Sequence, residues 1–137
     1  MQPDINLFEA RAERLVPLLL LGALVCASAG AQPSAAPLPA GDPARGKALY
    51  QGCESCHSID ENDVGPKHRG VVGRKAGSVK DYAYSPALKS SGLTWDEANL
   101  NRWLINPSAM VPGTKMFFRI DDAQGRADLI AYLKQQK

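Results

Sequence analysis

Residues 53–57 read Cys-Glu-Ser-Cys-His, and no other stretch of the chain limits its fold so tightly. Two cysteines three apart share one face of a helical turn. Their sulfurs can reach the two vinyl groups of one porphyrin as thioethers, and the pattern is the attachment signature of c-type haem. His57, fixed beside the second sulfur, can bring a ring nitrogen under the iron as proximal ligand. A bare C-x-x-C also suits a dithiol redox pair or half of a zinc site. Here no second C-x-x-C and no H-x-x-x-H occurs, and no βαβ pattern surrounds the motif. One haem c, attached through Cys53 and Cys56, is the expected cofactor.

A chain of 137 residues has room for one domain. Sixteen basic residues against fourteen acidic ones give a near balance, unlike the strongly basic surface of a nucleic-acid-binding protein. Aromatic residues make up only 7%. A buried porphyrin would supply the missing apolar bulk, as non-protein staples do in other small domains.

The N-terminus reads as a targeting segment. Arg11 and Arg14 precede an apolar run from Leu15 to Cys26. That run falls short of the roughly 20 residues a membrane span needs. It fits the hydrophobic region of a secretory signal. Ala27-Ser28-Ala29 and Ala29-Gly30-Ala31 follow, so cleavage is expected after Ala29 or Ala31. Residues 1–31 are then signal peptide and the protein is exported to the periplasm with no stable membrane anchor; retention of the segment would leave it membrane-associated. Ala23-Leu24-Val25 is a poor lipoprotein box, so Cys26 is not read as lipidated. Residues 32–41, rich in Pro and Ala, read as a flexible leader. The folded domain is expected over residues 42–137.

Asp42 followed by Pro43 predicts a helix start, with Gly46, Leu49 and Tyr50 on one face. A glycine inside a helix costs about 1 kcal/mol against alanine, so Gly46 points to close approach of another backbone. Glycines punctuate a loop from Gly65 to Gly77. In it, the Pro66 carbonyl can accept a hydrogen bond from the free ring nitrogen of His57. His68 reads as a solvent-facing loop histidine, with a sixth-ligand role as the lesser alternative. Pro86 to Ser90 is a short helical piece. Thr94-x-x-Glu97 has the capping-box pattern and predicts a helix to about Leu104, ended by Asn106-Pro107. Trp95 and Tyr84 fit either as plain core or as hydrogen-bond donors to a haem propionate. Pro112-Gly113 predicts a turn before Met116. Met116 and Met110 are both candidates for a sixth ligand, and either could be core filler. A last helix is expected from Asp121 or Asp122 almost to Lys137, with Leu129, Ile130 and Leu133 on one stripe.

These motifs taken together resemble the class I cytochromes c of the mitochondrial and purple-bacterial kind. The resemblance spans Asp42 to Lys137. It is carried by Gly73-Arg74-Lys75, Tyr82, Tyr84, Gly92-Leu93-Thr94-Trp95, Asn106-Pro107, Pro112-Gly113-Thr114-Lys115-Met116 and Arg126 through Leu133. It implies an all-α fold, three main helices plus short helices and loops around one haem. It also implies Met116 as axial ligand opposite His57, Pro66 supporting His57, and Arg74, Tyr84 and Trp95 holding the propionate end. Gly46 and Tyr50 would meet Leu129 and Tyr132 where first and last helices cross. Trp103 would lie on the Met116 side, where the family often has Tyr.

Four departures stand out. The loop between Cys56 and Pro66 is about three residues short of the mitochondrial pattern, Leu88 replaces a buried asparagine, and His68 replaces a frequent leucine. Ser108 and Ala109 replace docking lysines. The resemblance implies a monomeric periplasmic electron carrier with no enzyme activity. Its donor would be a bc1-type complex or a dehydrogenase and its acceptor a terminal oxidase. The alternatives are a dedicated haem subunit of a dehydrogenase or oxidase, or a haem enzyme or gas-binding protein with an open sixth position.

Overall fold

The computed structural model describes residues 37–137. The expected signal peptide, Cys26 and the leader up to residue 36 lie outside the described residues. The fold is all-α. Among the described residues there are three main helices, α1 (Pro43–Tyr50), α3 (Glu97–Ile105) and α5 (Ala123–Gln135), with two short ones, α2 (Pro86–Lys89) and α4 (Pro107–Met110). Among the described residues the only β pairing is an isolated antiparallel bridge between Lys75 and Thr94.

Helix α1 starts as its sequence predicts. The Asp42 carboxylate accepts from the N–H groups of Ala44 and Arg45, and Pro43 takes the first helical position. α1 packs on α5, and Gly46 is where they touch. A Cβ there would lie 2.0 Å from the Asp128 carbonyl oxygen and 2.8 Å from the Tyr132 Cβ, so only glycine fits. Arg45 fastens the crossing, since its Nε donates to Asp128 at 2.7 Å. Tyr50 of α1 and Leu129 and Ile130 of α5 are fully buried.

The ordered domain reaches further back than Asp42. Leu38 packs against the core, the Ala40 carbonyl accepts from Gln124, and a Cβ on Gly41 would strike the Ala127 carbonyl at 2.2 Å. Residues 38–41 therefore sit on α5, where the Pro/Ala composition suggested a flexible leader. The start of α3 differs as well. Asp96, not Thr94, caps it, accepting from the Asn99 N–H at 2.7 Å. Thr94 is committed to the bridge with Lys75, flanked by Trp95 N–H to the Arg74 carbonyl and Ala76 N–H to the Leu93 carbonyl. Asn106-Pro107 ends α3 as expected but also opens α4, because the Asn106 side chain caps the Ala109 N–H.

Candidate haem site

The attachment motif forms as one turn at the end of α1. The Cys53 N–H donates to the Tyr50 carbonyl at 2.8 Å, and the His57 N–H returns to the Cys53 carbonyl at 2.9 Å. Cys53 is half-buried and Cys56 exposed. Burial pushes the Cys53 thiol up to about 11. A thiol held that high is a poor nucleophile at neutral pH, which argues against a dithiol redox pair. Nor do three His, Cys, Asp or Glu side chains converge anywhere among the described residues to hold a metal by themselves.

Both cysteines and His57 line a cavity of about 400 Å³. The loop after the motif fixes His57. Its Nδ1 lies 2.7 Å from the Pro66 carbonyl oxygen, which can only accept, so the proton sits on Nδ1 and the Nε2 lone pair is free. Burial lowers the His57 pKa against the opposing pull of the Pro66 carbonyl, which keeps the ring in its neutral, ligating form. Gly65 makes room for it, because a Cβ would come within 2.2 Å of the His57 Cε1.

Met116 and Trp103 occupy the same cavity wall. The turn before Met116 is real, with Gly113 at φ +88°, a conformation that favours glycine. The Trp103 indole N–H donates to the Met116 sulfur at 3.1 Å. Met110, the competing methionine, packs against the core from α4 and is absent from the cavity lining. A second group of wall residues contains Arg74, Tyr84 and Trp95. Two nitrogens of Arg74 donate to the carbonyls of Arg69 and Lys67, at 2.9 and 2.8 Å. Its Nε is buried and finds no partner among the described residues. A buried guanidinium N–H needs an acceptor. A haem propionate is an acceptor of the right charge, so the donor set fits a porphyrin. Leu88 lies in the wall where the mitochondrial pattern has a polar side chain.

His68 is not the solvent-facing residue its loop suggested. Its ring stacks on His57 with centroids 4.1 Å apart and planes 18° from parallel. Its Nδ1 is 3.1 Å from the Tyr50 hydroxyl. Burial first, and the neighbouring His57 and Arg74 after it, push the His68 pKa down to about 3, so the ring is neutral. The sequence carried no signal for this, because Tyr50 and His68 meet across an irregular loop with no period.

At the cavity mouth Val64, Phe117 and Phe118 are exposed. Lys115 stands beside them, its Nζ donating to the Ala83 carbonyl. Arg69 is paired with Asp60 and donates to the Lys137 carbonyl. No helix among the described residues is long and apolar enough to cross a membrane.

Known proteins match this chain in sequence and in fold. The profile of the family described as cytochrome c matches residues 43–137. Cytochrome c2 of Rhodomicrobium vannielii is 49% identical over 107 residues, covering 75% of this chain and 86% of that protein. Cytochrome c of Theileria annulata is 48% identical over 103 residues, 72% and 89% of the two chains. The solved structure of cytochrome cH from Methylobacterium extorquens superposes with a TM-score of 0.68 at 52% identity, over 69% of this chain and 99% of that one.

Proposed function

The chain belongs to the cytochrome c family, and from that premise we propose that it is a periplasmic single-electron carrier and not an enzyme. Its one haem c is joined to the chain through Cys53 and Cys56. When bound, the haem supplies the iron couple that takes up and returns one electron. The chain's own residues do the remaining work. His57, with its proton held at Nδ1 by Pro66, would offer the Nε2 lone pair to the iron. Met116 would offer its thioether as a second ligand, a soft one that favours Fe(II) and raises the potential. Arg74, Tyr84 and Trp95 take the propionate end.

The observation that carries this reading is the presence of His57 and Met116 in the wall of one cavity. Two protein ligands close the iron to small molecules, which separates a carrier from a haem enzyme or gas-binding protein. Electrons exchange at the cavity mouth, where Val64, Phe117 and Phe118 offer apolar contact to a bc1-type complex or dehydrogenase as donor and a terminal oxidase as acceptor. The protein works as a monomer. Residues 1–31 are proposed to direct export and to be cut off after Ala29 or Ala31.

Ligation is tested on the oxidised protein. The weak long-wavelength sulfur-to-iron band should be present in wild type, lost in Met116→Ala and kept in Met110→Ala, and only Met116→Ala should bind CO readily when reduced. Loss of the band in Met110→Ala alone would reverse the assignment.

A further inference from the structure

The His68 imidazole serves no purpose in the scheme above, yet it is fixed as firmly as the residues that do. Its backbone N–H donates to the Ser58 carbonyl and its carbonyl accepts from the Val71 N–H, both at 2.9 Å. Its Nδ1 is tied to the Tyr50 hydroxyl, and Tyr50 is 1% exposed at the α1–α5 crossing, in ring contact with Tyr132. What it presents to His57 is a flat face 4.1 Å away.

The other face of His57 is occupied too. A Cβ on Gly65 would lie 2.2 Å from Cε1 and 2.5 and 2.6 Å from the two ring nitrogens bonded to it. Those distances place it along the ring normal over Cε1, so the Gly65 backbone lies on the face and not at the edge. A stacked ring at 4.1 Å leaves no room for backbone on the same side, so Gly65 and His68 take opposite faces.

We propose that His68 is a positioning residue, which with Gly65 clamps the His57 ring between two faces and sets its rotation about the iron–nitrogen axis. The Pro66 carbonyl alone does not do this. That contact fixes the tautomer and the general direction of the ring, but hydrogen-bond directions at a carbonyl are broad, so one contact at Nδ1 leaves a residual range of tilt. The stack restricts that tilt, and Tyr50 anchors the stack to the helix crossing. The plane of the imidazole, together with the orientation of the thioether lone pair, would decide which quadrants of the porphyrin share the unpaired electron of a ferric ion. His68 would thereby bias which haem edge is electronically coupled to the iron. The proposal rests on His57 being the axial ligand.

The test is proton NMR of the ferric holoprotein, reading the order and spread of the hyperfine-shifted haem methyl resonances. His68→Leu should change that order while the sulfur-to-iron band and the far-UV CD stay as in wild type. His68→Phe, which keeps a flat ring without the hydrogen bond, should restore most of the wild-type order. Tyr50→Phe, which cuts the tether alone, should shift the pattern in the same direction as His68→Leu but by less, and it serves if His68→Leu fails to fold. An unchanged methyl order in His68→Leu, or in Tyr50→Phe if that variant must stand in, overturns the clamp while leaving the ligands intact. A His57→Gly variant that keeps the low-spin spectrum overturns the ligand assignment and the clamp with it.

Discussion

The indole nitrogen of Trp103 donates a hydrogen bond to the sulfur of Met116 across 3.1 Å. An indole N–H cannot accept, so it always draws electron density from the sulfur. A sulfur so depleted is a weaker donor to ferric iron, which favours the reduced state. With Met116 on the iron, Trp103→Phe should lower the midpoint potential by about 20–40 mV, the equivalent of roughly 0.5–1 kcal/mol for one electron. Protein-film voltammetry reads this directly. A potential that stays put or rises would mean that the contact does not reach the iron.

Covalent attachment has a chemical test. Acid–acetone should leave the haem on the wild-type chain. Changing both Cys53 and Cys56 to alanine should release it or yield apoprotein. Haem that stays bound through acid–acetone in the double variant would refute the thioether assignment.

At Gly46 the Asp128 carbonyl oxygen would lie 2.0 Å from any added Cβ. Gly46→Ala must push α1 away from α5, and Gly46→Leu must do so further. Overpacking of this kind costs about 1–3 kcal/mol, and the denaturation midpoint should fall accordingly. A midpoint equal to wild type would show that the crossing adjusts without strain.

Asp128 is 2% exposed. The Arg45 guanidinium, then the Asp42 N–H, hold its carboxyl well below the usual carboxylate range. A carboxyl with a depressed folded-state pKa contributes stability that is complete above its unfolded value of about 4 and disappears as pH falls through the folded value. Asp128→Asn should therefore be less stable than wild type at neutral pH. The difference should shrink steadily below about pH 4. Urea midpoints of the two proteins at several pH values decide this; parallel curves down to strongly acidic pH would exclude the linkage.

Removal of residues 1–31 takes Arg11 and Arg14 from the sixteen basic residues and Asp4, Glu9 and Glu13 from the fourteen acidic ones, leaving a formal +3 before the propionates. Lys115 lines the cavity mouth; Arg69 is paired with Asp60, and Ser108 and Ala109, which stand where the family pattern has docking lysines, carry no charge. A field this weak is screened over about 8 Å at physiological salt and speeds encounter little. Electron transfer to the natural partner should fall less than about tenfold between low and physiological salt in stopped-flow measurements. A hundredfold fall would reveal strong electrostatic steering.

The haem motif, the Asp42-Pro43 helix start, the glycine at the helix crossing and the stripe of α5 were all legible in the sequence, because each is written in residues close together or repeated at a helical period. The Pro66–His57 contact was legible for a chemical reason, since an axial imidazole needs an acceptor and the loop offered one nearby. What escaped depends on distant partners. Thr94 looked like a cap until Lys75 claimed its backbone, leaving Asp96 to start α3. His68 looked solvent-facing because nothing local says that Tyr50 reaches across to it. Residues 38–41 looked loose because proline-rich composition does not reveal that α5 has a surface for them.

Arg74 has a bearing on how this protein is made. A buried guanidinium nitrogen such as Arg74 Nε, which finds no acceptor among the described residues, costs about 1–3 kcal/mol or more while unpaired, a large share of the 5–15 kcal/mol that holds a typical domain folded. In the proposed site a haem propionate would remove that cost, and only once the haem is bound. A chain that missed its cofactor would thus carry a built-in penalty. It would open more often and be cut first by proteases that sample unfolded chains. One unpaired nitrogen can in this way act as an inspection mark, sorting finished molecules from unfinished ones without any dedicated recognition sequence.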